Sequence, residues 1–310
     1  TKFVSKVSHN FQTTNKKFHI NNSAVHSHPF FNLAKNYCML FQNKTVFISG
    51  ASRGIGKAIA LRLAKEGANI VVAAKSTTEN PKLGGTIFSA AKEIEDAGGK
   101  ALAVQCDIRD ESQIEISVEK AIAAFGGIDI VINNASAISL TPTEQTEPKR
   151  FDLMQSVNAR GTFFFFYSCL PYLKKSSNAH ILTLSPPLNM NLKWFANHIA
   201  YTISKYNMTM ITMGFSEEFR KFNIAANTLW PQTTIATAAV KNLLGGDELI
   251  NMSRTPEIVA EAAFYILLKP ANECTGKTFL DEEVLKAEGI TQLDKYAVKP
   301  GSALYPDLFI

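Results

Sequence analysis

No stretch of this 310-residue chain is long and apolar enough to span a bilayer. The most apolar run, 163–170, is closed by Pro171, far short of the ~20 residues a membrane helix needs. Cysteines are few: Cys38, Cys106, Cys169 and Cys274 lie far apart. Their spacing matches neither a metal site nor a redox pair, so no metal is expected, and the thiols read as reduced ones in an intracellular protein. Acids are missing from residues 1–43, which hold Lys2, Lys6, Lys16, Lys17 and Lys35. The whole net charge of +5 therefore lies in that segment, and the remainder is balanced. A balanced fold offers no basic face, so nucleic acid is not an expected partner. What remains, 46% apolar and 19% charged residues, suits a soluble globular protein.

Three segments emerge. Residues 1–43 lack periodicity as well as acids. They are rich in Ser, Thr and Asn and hold four His but no Arg. Two expectations stand for them: a targeting segment, acid-poor as such segments are though without their arginines, or a disordered extension. Residues 44–281 alternate short apolar runs with helical periodicity. Strands are expected at 45–49, 69–73, 101–106, 128–132, 179–184, 224–229 and 277–280, and helices at 57–64, up to about 97, 111–125, 150–174 and 200–222. This alternation predicts an α/β fold, a single doubly wound parallel sheet of about seven strands with helices on both faces. The tail 282–310 carries Pro300, Gly301 and Pro306 and reads as surface coil packing on the domain.

A doubly wound sheet binds ligands beyond the carboxyl ends of its strands, so the residues after each strand carry the functional reading. After the first strand, Gly50, Gly54 and Gly56 stand at Gly-x3-Gly-x-Gly spacing before a helix. Such a turn lets backbone approach a pyrophosphate while the helix start offers N–H groups and a positive dipole end. The second strand ends in Ala74-Lys75-Ser76 with no acid before Glu79. Lys75 and Arg53 would suit a 2′-phosphate. Asp107, after the third strand, could accept from an adenine amino group. Asn133 and Asn134, after the fourth, could bridge neighbouring backbones or touch the cofactor. Ser185 and Pro186 follow the fifth. Tyr201 and Lys205 lie four apart at a helix start, on one face. A phenol titrates near 10 in isolation; a neighbouring ammonium would lower that value and let Tyr201 exchange a proton with a hydroxyl or carbonyl.

Together, Gly50-x3-Gly54-x-Gly56, Asn133-Asn134-Ala135, Asn158, Ser185, Tyr201-x3-Lys205 and Pro231 resemble, in order, the short-chain dehydrogenase/reductase family over about residues 44–281. The resemblance implies a Rossmann fold and an NADP(H)-dependent oxidoreductase. Tyr201 would be the proton donor/acceptor and Lys205 would bind the nicotinamide ribose. Asn158 would hold a water linking Lys205 to solvent, and Ser185 would polarise the substrate oxygen. The cofactor would lie on Gly50, Ser52, Arg53, Gly54, Ile55, Gly56, Lys75, Asp107, Asn134, Tyr201, Lys205 and Pro231. A lipid-type substrate, a homodimer or homotetramer built on the helices at 150–174 and 200–222, and a mitochondrial or peroxisomal site, with the cytoplasm as alternative, are further implications. No sterol-carrier-like domain, such as accompanies part of the family, is expected within 44–310.

The chain departs from the family pattern in three places. Ser185 and Tyr201 are 16 apart, where 12 or 13 is usual. A second serine is replaced by Pro186, and Pro231 is followed by Gln232 rather than glycine. Gln232 cannot take glycine's conformations cheaply, so the loop 233–237 is expected to meet a nicotinamide amide differently. These departures motivate an alternative reading, a non-catalytic NADP(H)-binding sensor or scaffold. Intact Tyr201, Lys205 and Asn158 argue for the catalyst, and the apolar loop 235–244 is expected to cover its site.

Overall fold

The structure is a computed structural model that describes residues 39–310; the expectations for the amino-terminal segment fall almost wholly outside these residues. Seven strands form one parallel sheet in the order β3-β2-β1-β4-β5-β6-β7. They are β1 (Thr45–Ser49), β2 (Asn69–Ala74), β3 (Lys100–Gln105), β4 (Ile130–Asn133), β5 (Ala179–Leu184), β6 (Ile224–Trp230) and β7 (Thr278–Leu280). The five inner strands are buried along their whole length, whereas β3 and β7, at the edges, are partly exposed. That is why the inner strands read as unbroken apolar runs.

Alternate residues of each strand enter opposite cores, as the period of two requires. Val46, Ile48, Ile70 and Val72 pack with α1 (Gly54–Ala64), α2 (Ile87–Asp96) and α8 (Glu257–Leu268). Phe47, Val71, Val131 and Ile181 pack with α3 (Glu111–Phe125), α5 (Gly161–Leu173) and α6 (Ile199–Glu218). Within the second core Phe47 meets Phe165 edge-on at 4.7 Å, and Phe166 lies 4.1 Å from Phe215. The aromatic run of α5 thus points largely inward, while Phe163 and Tyr167 stay exposed.

The order of strands reverses between β1 and β4. Beyond their carboxyl ends a crevice opens, the place where this topology receives ligands.

Three features differ from the sequence reading. The helix expected over 150–174 is α4 (Pro148–Met154), a π-helical stretch Gln155–Arg160, and then α5. The helix expected to 222 ends at Glu218, followed by a 3-10 turn Arg220–Phe222. The tail opens with a helix before it turns to coil. It forms α9 (Asp281–Ala287) and then folds back, burying Phe309 to 1% exposure. A short helix, α7 (Gly246–Asn251), precedes α8 and follows a π-helical turn Val240–Gly245 in the loop expected to cover the site.

Candidate active site

The turn after β1 is held by side chains from β4. Asn134 Nδ2 donates to the carbonyls of Ser49 and Gly50, each at 3.0 Å. Ser49 Oγ accepts from the backbone N–H groups of Asn134 and Ala135 at 3.1 Å. Of the two roles open to Asn134, bridging backbones is the one its amide performs. Gly50 sits at φ +69°, and a Cβ on Gly56 would stand 2.5 Å from Asn134 Nδ2. The glycines are therefore required by the Asn134 clamp as well as by any ligand. No side chain caps the amino end of α1, which leaves its first N–H groups without a side-chain partner.

A cavity of about 530 Å³ lies over this turn, and Gly50, Ser52, Arg53, Lys75, Asp107 and Asn134 line it. Arg53 donates through Nε to the Gly84 carbonyl at 2.7 Å and through Nη2 to Ser76 Oγ and the Gly85 carbonyl. It thereby folds the loop after β2 over the turn while keeping its charge in the cavity wall. Lys75 is exposed and stands 3.8 Å from Asp107. Asp107 is also gripped by Arg109, at 2.6 Å. That guanidinium holds the Asp107 carboxyl below the usual carboxylate range, so Asp107 is an ionised, already partnered acid. Gly54 lines a smaller cavity of about 210 Å³ beside Lys57. Ile55 packs into the core, Gly56 is buried beneath the turn, and Pro231 is buried at the end of β6.

Tyr201 and Lys205 occupy the first turns of α6, both buried, and neither lines the cavity just described. Lys205 Nζ donates to the Leu184 carbonyl at 2.6 Å, lies 3.3 Å from Met208 Sδ and stands 5.0 Å from the centre of the Trp230 ring. Burial lowers its pKa to about 7, opposed by the Asp307 carboxylate. The Tyr201 hydroxyl has no hydrogen-bond partner among the described residues. Burial, helped by Asp307, pushes this phenol well above its ordinary value. The lowering expected from Lys205 is not seen: burial, the larger cause, and Asp307 both raise the phenol.

Asn158 sits in the π-helical stretch and is fully buried. Its side chain accepts from Ala137 N at 2.7 Å, donates to Ala137 O at 2.9 Å and donates to Ser204 Oγ. It thus fastens the loop after β4 to α6. Ser185 is fully buried too, and its hydroxyl accepts from Thr209 Oγ1 at 2.9 Å. The Pro186 carbonyl accepts from the same Thr209 at 2.7 Å. Gln232 has no positive φ to support. Its N–H donates to Asp281 and its carbonyl accepts from Asp307 N.

A second cavity, about 570 Å³, adjoins this region. Leu140, Val240, Leu243, Met252 and Leu308 give it apolar walls, with Asp307 and Thr234 among its polar groups. Leu243, from the loop expected to cover the site, lines both cavities. Sequence reasoning missed the groups supplied by the tail, Asp307 and Phe309. The available signal was Trp230 and Gln232, whose partners they are.

A parallel seven-strand sheet with a glycine turn at its switch point, and a Tyr-Lys pair on the helix after β5, defines an oxidoreductase class. The chain belongs to the short chain dehydrogenase family, whose model matches residues 44–246. It is 59% identical over 266 residues to hydroxysteroid dehydrogenase-like protein 2 of Xenopus tropicalis. The match to the Homo sapiens protein of the same name is 58%. Each match covers 86% of this chain and 63% of the relative, so the chain spans less than two thirds of those proteins. The crystal structure of a short chain dehydrogenase from Mycobacterium thermoresistibile superposes with a TM-score of 0.83 at 52% identity, covering 87% of this chain and 96% of that one. Among the described residues no helix is long and apolar enough to cross a membrane.

Proposed function

We propose that this protein is an NADP(H)-dependent oxidoreductase that interconverts an alcohol and a carbonyl on a lipid-type substrate, with Tyr201 as proton donor and acceptor. One observation carries the reading: the partnerless Tyr201 hydroxyl lies one helical turn from Lys205, on α6 at the carboxyl end of the sheet. No described residue takes a hydrogen bond from that hydroxyl, which leaves its proton for a substrate oxygen.

The residues over the glycine turn fit a 2′-phosphorylated dinucleotide. Arg53 and Lys75 put two cations in one wall, and no acid follows β2 to claim a ribose hydroxyl. The uncapped start of α1 suits the pyrophosphate. When bound, the nicotinamide supplies or takes the hydride. Tyr201 then holds the proton that the substrate oxygen gains or loses. Lys205 sets the charge beside it, and Asn158 ties α6 to the loop after β4. The apolar walls of the second cavity favour an aliphatic substrate, in keeping with the naming of the relatives.

A second reading, a non-catalytic NADP(H) binder, draws on Ser185. Its hydroxyl is already engaged by Thr209, and Pro186 offers none. The test is Tyr201→Phe, assayed by NADPH absorbance against acyl, steroid and retinoid carbonyls. General acid–base work is worth roughly 10²–10⁴ in rate, so turnover should fall by that factor while NADPH affinity holds. Full turnover by the variant would remove Tyr201 from the chemistry. Tight NADPH binding with no turnover by the unmodified protein on any substrate would favour the binder.

A further inference from the structure

The tail returns to the site along a continuous set of bonds. Tyr305 N donates to the Met252 carbonyl, Thr234 N donates to the Tyr305 carbonyl, and Asp307 N donates to the Gln232 carbonyl. Trp230 Nε1 then donates to the Leu308 carbonyl at 2.9 Å, and Asn189 Nδ2 to that of Phe309 at 3.1 Å. The last anchor is Phe309 itself. Its ring centroid is 5.2 Å from Tyr206, 5.5 Å from Trp194, 6.1 Å from Trp230 and 6.2 Å from Tyr201. Tyr201 and Phe309 belong to one buried cluster, and Tyr201 is only 4% exposed.

We propose that residues 305–310 form a strap that packs over the Tyr201 ring and must lift before a substrate can seat beside it, with Phe309 holding the place that the substrate's apolar part takes.

Three further observations agree. Neither Tyr201 nor Lys205 lines the dinucleotide-side cavity or the apolar cavity. Phe309 has φ +75°, a conformation that a bulky side chain keeps only where its surroundings impose it. A strained residue on a segment held mainly by single backbone bonds is drawn from the less stable end of a fold, as moving lids are. With the strap down, burial and Asp307 also hold Tyr201 as a neutral phenol, so phenolate chemistry needs the cover displaced or a cation brought in.

The proposal rests on Tyr201 being the acid/base group, and its test separates the two claims. Thr233 and Pro306 face each other across an isolated antiparallel bridge. Such pairs lie about 4.5–5.5 Å apart at Cα, inside the range a disulfide spans. A Thr233→Cys/Pro306→Cys variant of the full chain is assayed oxidised and reduced. Oxidation should cut turnover by roughly tenfold or more, because it removes an open state that is a minor population. Dithiothreitol should restore it, and NADPH affinity should match in the two forms. Equal turnover oxidised and reduced would overturn the strap.

Hydrogen exchange on the unmodified protein supplies the second arm. The amides of Tyr305 and Asp307 should exchange far faster than those of β5. Protection equal to β5 overturns the proposal whether or not a substrate is known. A strap that opens in a protein with no turnover on any substrate leaves the gate standing and sinks the catalytic reading instead.

Discussion

His180 gives the sharpest test of how burial controls charge in this fold. It sits in β5, paired in register with Ile130 and Ala225, and is 1% exposed. Among the described residues neither ring nitrogen makes a well-formed hydrogen bond, and a contact with the Lys269 backbone only opposes the effect of burial. Burial lowers its pKa from 6.5 to about 4. At about 1.4 kcal/mol per pH unit, the folded state forgoes about 3 kcal/mol relative to the unfolded chain once pH falls below both values. The sign follows from proton counting. As pH drops from 6.5 toward 4, the unfolded imidazole binds a proton and the folded one does not, so stability is lost across that window. His180→Leu, of similar volume, should abolish this loss. At pH 7, where the imidazole is neutral in both states, it should be neutral or stabilising by about 1–3 kcal/mol, the cost of leaving a buried polar group unsatisfied. Urea unfolding of both proteins between pH 7 and 4 measures the difference. Subtraction is needed because burial raises Asp281 to about 6 and Asp307 to about 7. These carboxyls add stability as pH falls through their folded values, opposite in sign to His180. Parallel curves for the two proteins would refute the assignment.

Lys75→Asp should weaken NADPH binding by roughly tenfold or more, the worth of a charge-assisted hydrogen bond, and leave NADH binding less affected; equal affinity of the unmodified protein for both cofactors in titration would contradict the reading of the 74–76 segment. Gly56→Ala should destabilise by about 1–3 kcal/mol through overpacking, since the new Cβ meets Asn134 Nδ2 at 2.5 Å and the Gly50 carbonyl at 2.7 Å; an unchanged thermal midpoint would show that the turn yields. The exposed faces of α5 and α6, with Phe163, Tyr167, Met210 and Met213 at 40% exposure or more, should pair in a homodimer or tetramer, and sedimentation of a monomer at micromolar concentration would dismiss this.

The elements most legible in the sequence were those whose neighbours impose a simple pattern. Residues 111–125 and 179–184 were read with the boundaries the structure has, because Asp110 caps α3 and β5 is buried on both faces. The helix α8 was not read at all. Its residues are apolar nearly all round, since α1 and α9 as well as the sheet pack against it, and no stripe of period 3.6 survives. The π-helical stretch that carries Asn158 has no local signature either. The glycine turn and the Tyr201–Lys205 pair were visible because each is a local spacing. What covers them was not, since the contacts of Phe309 join residues that are far apart in the chain and leave no periodicity behind.

Gln232, one of the departures from the family pattern, and the unexpected cover are one structural fact. Trp230 lies between the Lys205 ammonium and the Leu308 carbonyl, and Gln232 holds α9 through Asp281 and the strap through Asp307. A glycine at 232 could make the same backbone bonds, but it would loosen the segment on which both depend. The charge pattern follows from this closure. The strap brings a carboxylate close enough to oppose the lowering of Lys205 and to add to the raising of Tyr201. With the strap down, Tyr201 keeps its proton and can act only as a donor. On the proposed reading, carbonyl reduction begins from the resting protonation state, whereas alcohol oxidation first requires a phenolate that burial and Asp307 both disfavour. Opening the strap removes both obstacles together, so the segment that admits the substrate also sets which proton transfer the site can perform.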